Sequence, residues 1–178
     1  MKEKNILIVV DMQNDFIDGA LGTAEAQAIV EPAIDRILAC GERGYTLIAT
    51  LDTHLDDYLD TPEGKKLPVP HCVKGTQGWQ INAGVQRALG DCILVEKPTF
   101  GSTALPGVIA REAADADRVT IELLGLCTDI CVVSNALLLK ANFPEADIAV
   151  HAACCAGVTP AKHLAALETM RSCQIDVL

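Results

Sequence analysis

Six short apolar runs punctuate the chain: "NILIVV" (Asn5 to Val10), "TLIATL" (Thr46 to Leu51), "CILVEK" (Cys92 to Lys97), "RVTIELL" (Arg118 to Leu124), "DIAVH" (Asp147 to His151) and "QIDVL" (Gln174 to Leu178). Runs this short and this uniformly apolar predict strands buried on both faces. Between them, "AEAQAIVEPAIDRILACGERG" repeats apolar residues at helical spacing and ends near Gly41 or Gly44, which predicts one helix. "TPAKHLAALETMRSC" opens with Thr159 as a cap and Pro160 at the first helical position. Strand-helix alternation implies right-handed crossovers and a parallel sheet covered by helices on both faces, an α/β fold in three layers. In such folds ligands sit beyond the carboxyl ends of the strands, so the chemistry is to be sought just after each apolar run. The stretch from Asp52 to Asn82 has little periodicity and is longer than an ordinary connection, which marks it as a functional loop.

The 178 residues suit one domain spanning 1–178, large enough to bury a core without disulfides. Half the residues are apolar and only 3% aromatic, so that core is to be built from Ala, Val, Leu and Ile. A net charge of -10 with no Lys/Arg cluster repels phosphate backbones and argues against nucleic acid as a partner. Eight cysteines are scattered without a CxxC pair, and the apolar run before Asp11, Ile6 to Val10, is too short for a signal core or a membrane span. Free thiols in a reducing cytoplasm are therefore expected. No GxGxxG, GxxxxGK[ST] or GxSxG occurs, which leaves dinucleotide, nucleoside triphosphate and serine-hydrolase chemistry without a motif.

The residues that follow the runs are Asp11, Asp52 with His54, Lys97, and the turn from Gly125 to Cys131. Taken singly, each has a plain structural reading. Asp11 in "DMQNDFIDG" suits a turn, Lys97 suits a solvated strand end, and Cys127 and Cys131 suit packed core. Taken together on one edge, they supply a proton acceptor, a cation and a thiol. The segment after Gly125 is predicted to enter a helix near Thr128 or Asp129, putting Cys131 in a first turn whose free N–H groups would favour a thiolate. Asp52 and His54, two apart on an extended strand, project from one face. With His71 in "PVPHC" and Glu63 in the same loop, they form a nitrogen and oxygen set suited to a divalent metal with open positions. The same residues also read as a solvated loop.

In "LIVVDMQNDFIDGAL", "DTH", "PHCVKGT", "VEK" and "GLCTDICVVSNAL", the chain resembles the isochorismatase-like cysteine hydrolases, and within them the nicotinamidase/pyrazinamidase group, over nearly its whole length. The resemblance implies a doubly wound, six-stranded parallel sheet of order 3-2-1-4-5-6. It implies catalytic roles for Asp11, Lys97 and Cys131, and an oxyanion hole from the backbone N–H groups of Cys127 and Cys131 aimed by a cis peptide between Leu126 and Cys127. Asp52, His54 and His71 become the metal ligands, with Glu63 as a fourth that varies among relatives. Zinc is the implied ion, manganese and iron being alternatives. The implied activity is release of ammonia from a small carboxamide, nicotinamide foremost, through a Cys131 thioester, in an enzyme that commonly forms homo-oligomers. Two other readings stand beside it: hydrolysis of another small amide or carbamoyl compound, and a non-catalytic protein that binds a metal or metabolite on the same scaffold. Phe16 matches an aromatic that packs on the substrate ring. The aromatic usual before the metal histidine is replaced by Leu67 and Val69, and "KPTFGSTAL" departs from the common pattern, bringing Phe100 or Ser102 to the pocket.

Overall fold

The computed structural model describes residues 2–178. Six strands, β1 (Glu3–Val10), β2 (Thr46–Asp52), β3 (Ile93–Lys97), β4 (Arg118–Leu126), β5 (Asp147–Ala156) and β6 (Asp176–Val177), form one sheet of order β3-β2-β1-β4-β5-β6. Every neighbouring pair is parallel. Strand β1 lies in the centre, and Ile6 to Val10 are at most 1% exposed. Each such side chain contributes about 1.5–3 kcal/mol of burial.

Between the strands lie α1 (Asn14–Ile17), α2 (Ala24–Ala28), α3 (Val30–Glu42), α4 (Pro62–Lys66), α5 (Ala83–Leu89), α6 (Leu105–Glu112), α7 (Val133–Asn142) and α8 (Pro160–Ser172). Right-handed crossovers put α3 and α5, which pack on each other, on one face of the sheet and α6, α7 and α8 on the other. In α3 the buried positions Ala33, Ile37 and Cys40 recur at four and three, the stripe that faces the sheet. Thr159 caps α8 by accepting from the Lys162 N–H, with Pro160 at its start.

Three expectations change. The helix predicted through residues 24–44 breaks at Ile29 into α2 and α3. Pro32 has no N–H for the Ala28 carbonyl and its ring crowds that group, so it fits only the first turn of a new helix. Strand β3 is buried on one face only, with Leu94 55% exposed and Val95 6%, because it forms the sheet edge. The long loop is partly helical: a 3₁₀ turn at Tyr58–Asp60 leads into α4, capped by the Thr61 hydroxyl accepting from Gly64 N–H. A Cβ on Gly64 would stand 2.0 Å from the Tyr58 carbonyl oxygen, so only glycine lets the two turns stack.

The connections from β1 and β4 leave in opposite directions, which places the topological switch point between these two adjacent strands. Gly125, with φ +123°, is in register with Val10, and a Cβ there would stand 2.1 Å from the Val10 carbonyl oxygen. The backbone just before the cysteine turn is thus pressed against the end of β1.

Candidate active site

Asp11 follows β1 directly, at φ +48°, a left-handed conformation that aspartate tolerates better than most residues. Its carboxylate turns inward and is fully buried. The Thr50 hydroxyl donates to Asp11 Oδ1 at 2.6 Å. Lys97 and Asp52 end β3 and β2 in register with each other. The lysine does not run out to solvent. It is 1% exposed, with Nζ 2.7 Å from Asp11 Oδ2, 3.5 Å from Asp52 Oδ1 and 3.3 Å from Cys131 Sγ. A carboxylate, an ammonium and a thiol from three distant parts of the chain therefore meet at the switch point.

Cys131 lies in a π-helical turn, Thr128–Val132, that precedes α7 in place of an ordinary first turn. Asn135, one turn further on, donates to the Cys131 carbonyl at 2.8 Å and accepts from Ser102 N–H at 2.8 Å, tying the segment after β3 to the cysteine turn. Ser102 is 1% exposed and its hydroxyl accepts from Leu105 N–H at 3.2 Å, so it is Phe100 and not Ser102 that lines the pocket. The Leu126–Cys127 peptide is cis. Ile130 and Val132 N–H both bond the Cys127 carbonyl, while the Cys127 N–H has no acceptor among the described residues.

The electrostatics differ from the sequence expectation of a thiolate held by a helix terminus. Burial pushes the Cys131 thiol well above its ordinary range, the neighbouring Asp11 carboxylate adds to this, and Lys97 only partly offsets them. Burial likewise raises the Asp11 carboxyl against the pull of Lys97. Burial opposes the Lys97 ammonium, yet Asp11, Cys131 and Asp52 together hold it above the usual lysine range. One ammonium is shared by two carboxylates, Asp11 and Asp52, so its pull on the thiol proton is divided. Asp11 Oδ2 has the ammonium beside it but no aligned hydrogen-bond donor, which leaves a lone pair to receive that proton. Cys127 is pushed up to about 12, by burial first and then by Asp129, which disfavours its thiolate.

A second group adjoins the first through Asp52. Its Oδ2 lies 3.0 Å from His54 Nε2 and 3.5 Å from His71 Nε2, and one ligand atom from each of the three residues falls within 4.8 Å of the others. His71 Nδ1 donates to the Val69 carbonyl at 2.8 Å, which leaves the Nε2 lone pair facing the cluster. Two imidazole nitrogens and a carboxylate, all buried, fit a divalent metal with positions left open for water or a ligand. Burial opposes the Asp52 charge, but the adjacent His54 and His71 imidazoles and the nearby Lys97 hold its carboxyl well below the usual range. Glu63 stands one step out: its Oε1 is 3.8 Å from His54 Nε2 and 3.9 Å from His71 Nε2. Tyr58 packs edge-on against both imidazoles, with ring centroids 4.7 and 5.0 Å away.

Sequence reasoning missed Gln13, Thr50 and Tyr58. Gln13 Nε2 donates to the Asp52 and Trp79 carbonyls, and its Oε1 accepts from Asp52 N–H at 2.8 Å, so it fixes the residue that both groups share. Its signal was available, since it lies two residues from Asp11 in "DMQND". Both groups adjoin a cavity of about 390 Å³, which Asp52 lines. Cys131, Asp52 and His71 line it on one side, and Phe16, Leu67 and Phe100 among others wall it with apolar surface.

Fold and site together define a doubly wound α/β protein with a thiol, a carboxylate and an ammonium gathered at its switch point beside a carboxylate–imidazole cluster. The family model of the isochorismatase domain matches residues 5–178, and the chain belongs to that family. It is 26% identical over 186 residues to the nicotinamidase/pyrazinamidase of Mycobacterium tuberculosis, covering 97% of each chain. The crystal structure of Pyrococcus horikoshii pyrazinamidase in complex with zinc superposes with a TM-score of 0.82 at 25% identity, over 98% of each chain. That of N-carbamoylsarcosine amidase from Thermoplasma acidophilum does so with a TM-score of 0.76 at 29% identity, over 98% of this chain and 95% of the other.

Proposed function

We propose that this amide hydrolase releases ammonia from a small carboxamide, nicotinamide first among them, through a thioester on Cys131. The observation that carries the reading is the meeting of Lys97 Nζ with Asp11 Oδ2 at 2.7 Å and with Cys131 Sγ at 3.3 Å, at the edge of a ligand-sized cavity. Asp11, made more basic by burial, takes the thiol proton as sulfur attacks the carboxamide carbon. Lys97 balances the negative charge that passes between the two groups. The tetrahedral oxyanion is met by the backbone N–H groups of Cys127 and Cys131, and loss of one such donor typically costs about 3 kcal/mol in the transition state. The C–N bond then breaks, the leaving nitrogen takes the proton from Asp11, and ammonia departs from the thioester. Asp11 next removes a proton from water, whose oxygen displaces sulfur, and the acid leaves as the thiol regains its proton.

Asp52, His54 and His71 would hold the metal, with Glu63 alongside, and zinc suits this donor set, as manganese or iron would. When bound, the ion supplies a Lewis-acid position for the ring nitrogen of a pyridine carboxamide, so that its part is placement. Phe16 and Phe100 contribute apolar contact to the substrate. Leu67 where relatives carry an aromatic, together with the likeness to an N-carbamoylsarcosine amidase, favours a second reading in which another small amide or carbamoyl compound is the substrate. Free thiols throughout fit a cytoplasmic enzyme, and a homo-oligomer accords with the family resemblance.

The test is ammonia release from nicotinamide and a panel of small amides, before and after chelation and with Cys131→Ala. Release that requires both Cys131 and metal supports the leading reading. Release that requires Cys131 but survives full metal removal supports an amidase without pyridine coordination, and no release from any amide refutes both.

A further inference from the structure

We infer that the site prefers carboxamides that bear an anionic group on the side of the ring away from the amide, and that Lys66 exerts this preference. This inference rests on the amidase reading of the same site. Lys66 ends α4 and lines the cavity with Glu63, three residues earlier on the same face of that short helix. Asp52 and Glu63 are the other charged residues of the lining, and both face the imidazole cluster. Lys66 is thus the one cation lining the cavity, and among the described residues no ion pair engages it. It is exposed, and Leu67, Pro62 and Phe100 line the same cavity with apolar surface. A chain of net charge -10 disfavours anions at large, so an unpaired ammonium here acts locally.

Size points the same way. At about 390 Å³ the cavity falls in the range of roughly 300–1,000 Å³ that accommodates drug-sized ligands, more than one six-membered ring with a carboxamide fills. Room beyond the ring, apolar walls, and a solvent-exposed cation in the lining together fit a carboxamide whose far side bears a carboxylate. The reacting end meets Cys131, and the charged end remains near solvent, where desolvation costs little.

Steady-state kinetics on metal-loaded enzyme would compare nicotinamide carrying a 5-carboxylate with nicotinamide carrying a 5-acetyl group, a neutral compound of nearly the same shape. The expected result is a preference for the acid of about fivefold in kcat/KM, expressed in KM, as suits a partly exposed pair. Lys66→Met should abolish the preference and Lys66→Arg should retain it. Equal turnover of the two compounds, or a preference that persists in Lys66→Met, overturns the inference. Calorimetry with pyridine-3,5-dicarboxylate and nicotinate separates it from the amidase reading. Tighter binding of the dicarboxylate that is lost in Lys66→Met supports the charge selection even if no amide is turned over, and equal binding overturns it.

Discussion

Replacing Lys97 with methionine tests the electrostatic centre of the site. The side chain is buried, and its ammonium is the cation nearest Asp11, at 2.7 Å, and Asp52, at 3.5 Å. Methionine keeps most of the volume and leaves two buried carboxylates facing each other. Deleting one partner of a buried pair costs about 3–5 kcal/mol. With a urea dependence of about 2 kcal/mol/M, the unfolding midpoint falls by roughly 1.5–2.5 M. The sign with pH follows from the shifts. The Lys97 ammonium is held above its ordinary range, so its stabilisation is fully present at and below neutral pH in the wild type. In the variant only the Thr50 hydroxyl is left to offset the burial that raises Asp11, so that carboxyl takes up a proton as pH falls and the deficit shrinks. Urea unfolding followed by circular dichroism, with chelator present throughout, should show a larger loss at pH 8 than at pH 5. Adding Asp11→Asn should recover at least half of it, because the pair is then removed together. A midpoint shift under about 0.5 M at both pH values, or a double variant that loses the sum of the two single effects, would refute the reasoning.

Three further outcomes follow. Gly125→Ala, at φ +123° with its new Cβ 2.1 Å from the Val10 carbonyl oxygen, should destabilise by about 3 kcal/mol, and an unchanged melting temperature would contradict the close approach of β4 to β1. His71→Ala should lower divalent-metal affinity by at least 10–100-fold, read by calorimetry with zinc, while wild-type affinity in the variant would remove His71 from the ligand set. Burial opposes the Glu122 charge, but bonds from Arg36, His151 and Tyr45 hold its carboxyl below the usual value. Its contribution is therefore present above the ordinary glutamate range and lost as pH falls through the depressed value. Glu122→Gln should cost about 1–3 kcal/mol at pH 7 and progressively less toward pH 3, and a deficit independent of pH would contradict this.

The strands and the edge that carries the chemistry were legible because buried parallel strands write themselves as unbroken apolar runs, with Asp11 standing directly after one of them, whereas the strand order came only with the family resemblance. The cap and proline of α8 were legible in "TP", and the same pair, Thr61 and Pro62, marks α4 inside a loop read as irregular. The break at Ile29 was also written, in Pro32, though apolar spacing alone runs through it. What the sequence did not display is where electrostatic balance falls. The upward shift of the Cys131 thiol depends on its burial and on Asp11, Lys97 and Asp52 standing close to it, and no local pattern encodes that. Likewise the double use of Asp52, with Oδ1 toward Lys97 and Oδ2 toward the imidazoles, exists only once β2 and β3 are in register.

The most direct test of the account is a trap of the acyl-enzyme. Metal-loaded protein is mixed with nicotinamide, quenched in acid within the first turnovers, digested, and analysed by mass spectrometry. The account predicts one nicotinoyl group on the peptide that contains Cys131, absent with Cys131→Ala. Turnover by the alanine variant at the wild-type rate, or an acyl group found only on another residue, would contradict it.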